Sequence, residues 1–83
     1  MTNKLNKKNA DAETKKNFKW LGTAISIYEY GKHTIVEYVR KDEGTIAFKT
    51  DGFSYDTITE AIIHCELGEN YRAVSAVCKM FNN

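Results

Sequence analysis

Three features of the chain predict an α+β fold: three β-rich runs spaced by turn residues, two amphipathic stretches with cap signals after them, and a lysine-rich N-terminal segment poor in apolar groups. Together they predict a three-stranded antiparallel β-meander with two C-terminal helices packed on one face (β-β-β-α-α) behind a basic disordered arm. At 83 residues there is room for one domain. The expected division is a flexible arm over residues 1–17 and a single folded unit over residues 18–83. A chain of this size buries only roughly 60–65% of its unfolded surface, so the core is expected to be compact or completed by a second copy.

The strands come first. Residues 23–30 (TAISIYEY), 32–41 (KHTIVEYVRK) and 45–50 (TIAFKT) are rich in β-branched and aromatic side chains and are separated by Gly31 and by Asp42-Glu43-Gly44. A two-residue loop at Gly31-Lys32 fits a type II′ turn, which needs φ > 0 at its first position. It pairs Tyr30 with His33, Tyr28 with Ile35, Ile27 with Val36 and Ile25 with Tyr38. A three-residue loop at Asp42-Glu43-Gly44, with Gly44 left-handed in a G1 bulge, pairs Tyr38 with Phe48, Arg40 with Ile46 and Glu37 with Lys49.

Side chains alternate between faces. In this register Ile25, Ile27, Val36, Tyr38, Ile46 and Phe48 share one apolar face, the expected core. The helices should cover it. Thr57 and Glu60 form a capping-box pattern, with Asp56 an equally good cap. The stripe Ile58, Ala61, Ile62 and Cys65 follows at helical spacing, and Gly68 ends the helix. Asn70 is a candidate cap for a second helix with the stripe Val74, Val77, Cys78 and Phe81.

The opposite face then displays Tyr28, Tyr30, His33, Ile35, Val39 and Lys49, and a contiguous apolar patch of this kind usually marks a partner. These six residues are the expected partner-binding set. The competing expectation is that the N-terminal segment, through Phe18, Trp20 and Leu21, folds back over them. Tyrosine suits a protein interface because it joins a large contact area to a polar tip, and a second copy of the chain is the simplest such partner.

Charge supplies the alternative. Residues 1–19 hold Lys4, Lys7, Lys8, Lys15, Lys16 and Lys19 against Asp11 and Glu13, a net +4, while the remainder carries a net −3. A basic arm offers sequence-independent contacts to phosphate. With tyrosines that stack unpaired bases it would make an RNA- or single-stranded-DNA-binding module. A solvated leader that only keeps the protein soluble is the plainer reading of the same lysines.

Other classes find little support. No Gly-rich phosphate loop, G-x-S-x-G or metal-ligand spacing occurs, so no enzyme, cofactor, metal or small-molecule substrate is expected. Cys65 and Cys78 fall on apolar helix positions as small hydrophobes. Two cysteines are few for a small secreted domain, no signal-type apolar core stands at the N-terminus, and no run approaches a membrane span. A cytoplasmic protein without membrane contact is expected.

The segment Phe53-Ser54-Tyr55-Asp56-Thr57-Ile58-Thr59-Glu60-Ala61-Ile62, after a β-meander and before the ending Lys79-Met80-Phe81, resembles the tails of small phage-encoded accessory proteins. The Asn/Lys/Ile-rich, proline-free usage is similar too. The resemblance covers about the last thirty residues and transfers no functional residue. It implies a stoichiometric binder that inhibits or redirects a host factor or defence system. The expectation from the sequence is therefore a non-enzymatic, self-associating binding protein, with the nucleic-acid module as alternative.

Overall fold

The computed structural model describes residues 4–68. The order is β1 (Leu5–Asn9), α1 (Ala12–Phe18), β2 (Gly22–Tyr30), β3 (His33–Arg40), β4 (Ile46–Thr50), β5 (Phe53–Tyr55) and α2 (Ile58–Leu67). The strands form one antiparallel sheet in sequence order. The α+β class holds, but the sheet has five strands rather than three. The second predicted C-terminal helix, with Val74, Val77, Cys78 and Phe81, lies outside the described residues.

The segment expected to be a flexible arm contributes a strand and a helix. β1 pairs with β2 from Leu5↔Tyr30 to Asn9↔Ser26. Its side chains are exposed throughout, so its sequence carries no apolar alternation. An edge strand needs only backbone hydrogen bonds on one side, and edge lysines deter unwanted pairing on the other. Asp11 caps α1, its Oδ1 accepting from the Thr14 amide at 2.8 Å. That hydrogen bond holds the Asp11 carboxyl below its ordinary range.

The first hairpin follows the predicted register from Tyr30↔His33 to Ile27↔Val36, with Gly31 at φ 61°. Beyond it a bulge lies between Ala24 and Ser26, so Ala24 rather than Ile25 stands opposite Tyr38 and Ile25 is exposed. The second hairpin departs by one residue. Gly44 is left-handed as expected, at φ 69°, but the Arg40 amide donates to the Thr45 carbonyl at 2.8 Å and closes a four-residue loop. Glu37 therefore faces Phe48, Tyr38 faces Ala47, and Val36 faces Lys49.

That slip exchanges the faces of β4. Phe48 joins Tyr30, Ile35, Tyr55 and Ala61 in the main core cluster, while Ile46 is left exposed. Helix α2 packs on this cluster through Ile58, Ala61, Ile62 and Cys65, the predicted stripe. Its cap is also as expected: Thr57 Oγ1 accepts from the Glu60 amide at 3.2 Å, and Gly68 ends the helix at φ 66°. The face it covers is the one expected to be open. Helix α1 covers the other face, where Ala10, Ala24, Ile27 and Val36 cluster with Phe18, and the Phe18 and Tyr38 rings lie 5.3 Å apart.

Candidate functional site

The six residues expected to form one binding face are dispersed by this architecture. Ile35 is wholly buried and Tyr30 nearly so. The Tyr30 hydroxyl donates to the Glu66 carboxylate at the end of α2, and that bond raises the Tyr30 pKa above its ordinary value. Tyr28 is half-buried, edge-on to Phe48 at 6.2 Å, with Lys7 Nζ 5.5 Å from its ring centroid. Val39 is half-buried near the Gly44 loop. His33 Nδ1 lies 3.3 Å from Asp51 Oδ2. Lys49 stands on the α1 side of the sheet. The competing expectation, a fold-back of Phe18, Trp20 and Leu21 over the tyrosine face, is not met: Phe18 packs on the Ile27 and Val36 side and Trp20 is exposed.

Asp51 organises a polar cluster that the sequence reading missed. Asp51-Gly52 makes the two-residue β4–β5 turn with φ of 50° and 84°, values suited to a type I′ hairpin and typical of Asp-Gly. The turn brings Asp51 Oδ2 to 3.2 Å from His64 Nε2, while the Tyr55 hydroxyl lies 2.6 Å from His64 Nδ1. His64 is 1% exposed, so both ring nitrogens are satisfied inside the core, as a buried polar group requires. Both imidazoles address the same carboxylate oxygen. Among the described residues no group of three or more His, Cys, Asp or Glu is placed to hold a metal ion. Cys65 is half-buried, and burial pushes its thiol pKa up, which disfavours the reactive thiolate.

The other feature is a cationic corner where α1 ends. Thr14 and Phe18 are the half-buried residues of α1, while Lys15, Lys16 and the C-cap Lys19 are exposed. Lys8 pairs with Glu29 at 3.2 Å, but among the described residues no carboxylate pairs with Lys15, Lys16 or Lys19. Lys4 and Lys7 lie away from this corner: β1 begins opposite Tyr30, at the far end of β2, and Lys7 faces the Tyr28 ring. Trp20 follows in the turn, where the Leu21 amide donates to the Phe18 carbonyl at 2.8 Å. The indole is 72% exposed.

Two strands complete the corner. The Lys41 amide donates to the Leu21 carbonyl at 2.9 Å, fixing the end of β3 beside the turn. Lys49 reaches from β4 to place Nζ 5.6 Å from the Trp20 ring centroid. An open groove runs between Trp20, Leu21, Tyr38, Arg40, Lys41 and Asp42. Arg40 is already engaged: Nη2 donates to Asp56 at 2.8 Å and Nη1 to Thr45 Oγ1 at 2.9 Å, and the Asp56 bond raises its pKa. The uncommitted cations here are lysines.

Among the described residues no helix is long and apolar enough to cross a membrane. Comparison with protein-family models, curated proteins and solved structures finds no match for the chain. The fold and site define an α+β domain with a helix on each face of an antiparallel sheet and one cationic, tryptophan-bearing corner.

Proposed function

We propose that this is a non-enzymatic binding protein that associates stoichiometrically with a macromolecular partner through the corner formed by the end of α1, Trp20, Lys41 and Lys49. The carrying observation is Trp20, 72% exposed, although tryptophan is highly buried on average. A solvent-facing indole among unpaired cations is the composition that anchors binding surfaces. The Tyr55–His64–Asp51 cluster is given no chemical step, because its polar atoms satisfy one another and its imidazole is inside the core. A cytoplasmic setting and a phage-type accessory role belong to the same proposal, the latter resting only on the resemblance of about the last thirty residues. Self-association through the tyrosine face has no part in it, since α2 occupies that face.

Affinity capture with the full chain tests the corner. Trp20→Ala should lose the partners retained by the parent protein, with unchanged far-ultraviolet circular dichroism. Tyr28→Ala should retain them. Equal capture by Trp20→Ala and the parent would contradict the proposal.

A further inference from the structure

Resting on that reading, we infer that the partner is single-stranded nucleic acid, with a base stacked on Trp20 and the neighbouring phosphates held by Lys15, Lys19, Lys41 and Lys49. Four observations converge on it. The first is charge: the N-terminal nineteen residues carry a net +4, and of these Lys15, Lys16 and Lys19 are exposed in α1 and at its C-cap. The second is spacing. Lys15 in α1 and its C-cap Lys19, whose backbone is helical, are exposed and stand one turn apart, about 6 Å along the axis. Like charges at i and i+4 repel and weaken a helix, so an extended polyanion relieves a repulsion that the free protein carries.

The third is the type of cation. The committed Arg40 is tied to Asp56, leaving compact ammonium groups on flexible stems. These bind phosphate as point charges and do not impose the planar two-pronged geometry that arginine gives a carboxylate. The fourth is the indole itself. A flat, exposed ring accepts any unstacked base, whereas duplex bases are already stacked on one another. Helix α1 has seven residues and lies against the sheet through Phe18, so it cannot enter a major groove as a recognition helix does. Lys49, beside the ring, is placed to meet the phosphate of the stacked nucleotide.

Trp20 is the only tryptophan in the chain, so its emission reports directly on this site. Oligo(dT), a duplex of matched length and poly-glutamate are titrated into the full protein at low salt. Oligo(dT) should quench Trp20, whereas the duplex and poly-glutamate should leave its emission largely unchanged. With four phosphate contacts, affinity should fall about 50-fold between 50 and 200 mM salt, from a slope near −0.7 per contact. With a labelled oligonucleotide read by anisotropy, Trp20→Ala should weaken binding roughly 5- to 150-fold and Trp20→Phe should restore part of it. Lys15→Gln with Lys19→Gln should reduce the salt slope. Equal response to poly-glutamate, or binding indifferent to Trp20→Ala, would overturn the inference. If oligonucleotides do not bind while capture of another partner still depends on Trp20, the nucleic-acid inference fails and the binding corner stands. If Trp20→Ala changes neither assay, both fail.

Discussion

Lys49 Nζ sits 5.6 Å from the centre of the Trp20 ring, joining the middle of β4 to the turn that leaves α1. The contact depends on the one-residue offset between β3 and β4. With Glu37 opposite Lys49, as the three-residue loop predicts, this side chain would lie on the α2 side. With Val36 opposite it, Lys49 lies on the α1 side, within reach of the indole.

The offset gives a stability prediction. Ile35 has no exposed surface and packs under α2. Ile35→Ala should cost about 2–5 kcal/mol in a urea titration, the range for large-to-small changes in a core. A cost below 0.5 kcal/mol would place Ile35 on an open face and restore the tyrosine surface as a binding candidate.

Gly44 tests the loop that causes the offset. At φ 69° an added side chain meets open space, so only backbone strain opposes it. Gly44→Val should destabilise by about 1–2 kcal/mol. A neutral substitution would show that the loop does not need the left-handed conformation.

Much of this was legible in the sequence. The Gly31 turn, left-handed Gly44, the Thr57 cap and the stripe Ile58, Ala61, Ile62 and Cys65 each rest on local chemistry, and each is found as expected. The losses are at longer range. Helices cover both faces of the central strands, so the strands carry apolar groups on both sides and alternation cannot identify the single core face. Asp51-Gly52 is a strong hairpin signal that should have revealed β5. β1 has no such signal, because Leu5–Asn9 is held by backbone pairing and by exposed lysine contacts, not by buried apolar side chains. Trp20 next to Lys19 was readable as aromatic beside basic, but its exposure depends on where α1 stops.

The N-terminal segment should matter for folding. A disordered arm could be removed without effect, but β1 makes five paired positions with β2. Deleting residues 1–9 should lower the thermal midpoint by several degrees, at roughly 4–8 °C per kcal/mol for a domain of this size. An unchanged midpoint would return the segment to the status of a solvated leader.

The buried histidine should be structural. Replacing His64 with leucine removes one hydrogen-bond partner from the Tyr55 hydroxyl and one from Asp51. The expected loss is about 1–3 kcal/mol, with no change in oligonucleotide affinity. A stable variant that loses binding would assign the cluster a functional role.

Alkaline pH tests the Tyr30–Glu66 contact. Tyr30 ionises above its ordinary 10.0 in the folded protein, chiefly because its hydroxyl donates to Glu66. A group raised on folding stabilises fully below its unfolded pKa, and that contribution fades as pH rises through the folded one. Stability should therefore decline above about pH 10, and Tyr30→Phe should flatten that part of the profile. Identical profiles for the two proteins would remove Tyr30 as the cause.

Binding at the Trp20 corner is tested most directly by the map of amide chemical-shift changes in the labelled protein as oligo(dT) is added at low salt. Changes should concentrate at Lys15 to Leu21, Lys41 and Lys49, with Tyr28, Tyr30 and Ile35 unmoved. Changes centred on Tyr28, Tyr30 and Ile35, or none anywhere, would contradict it.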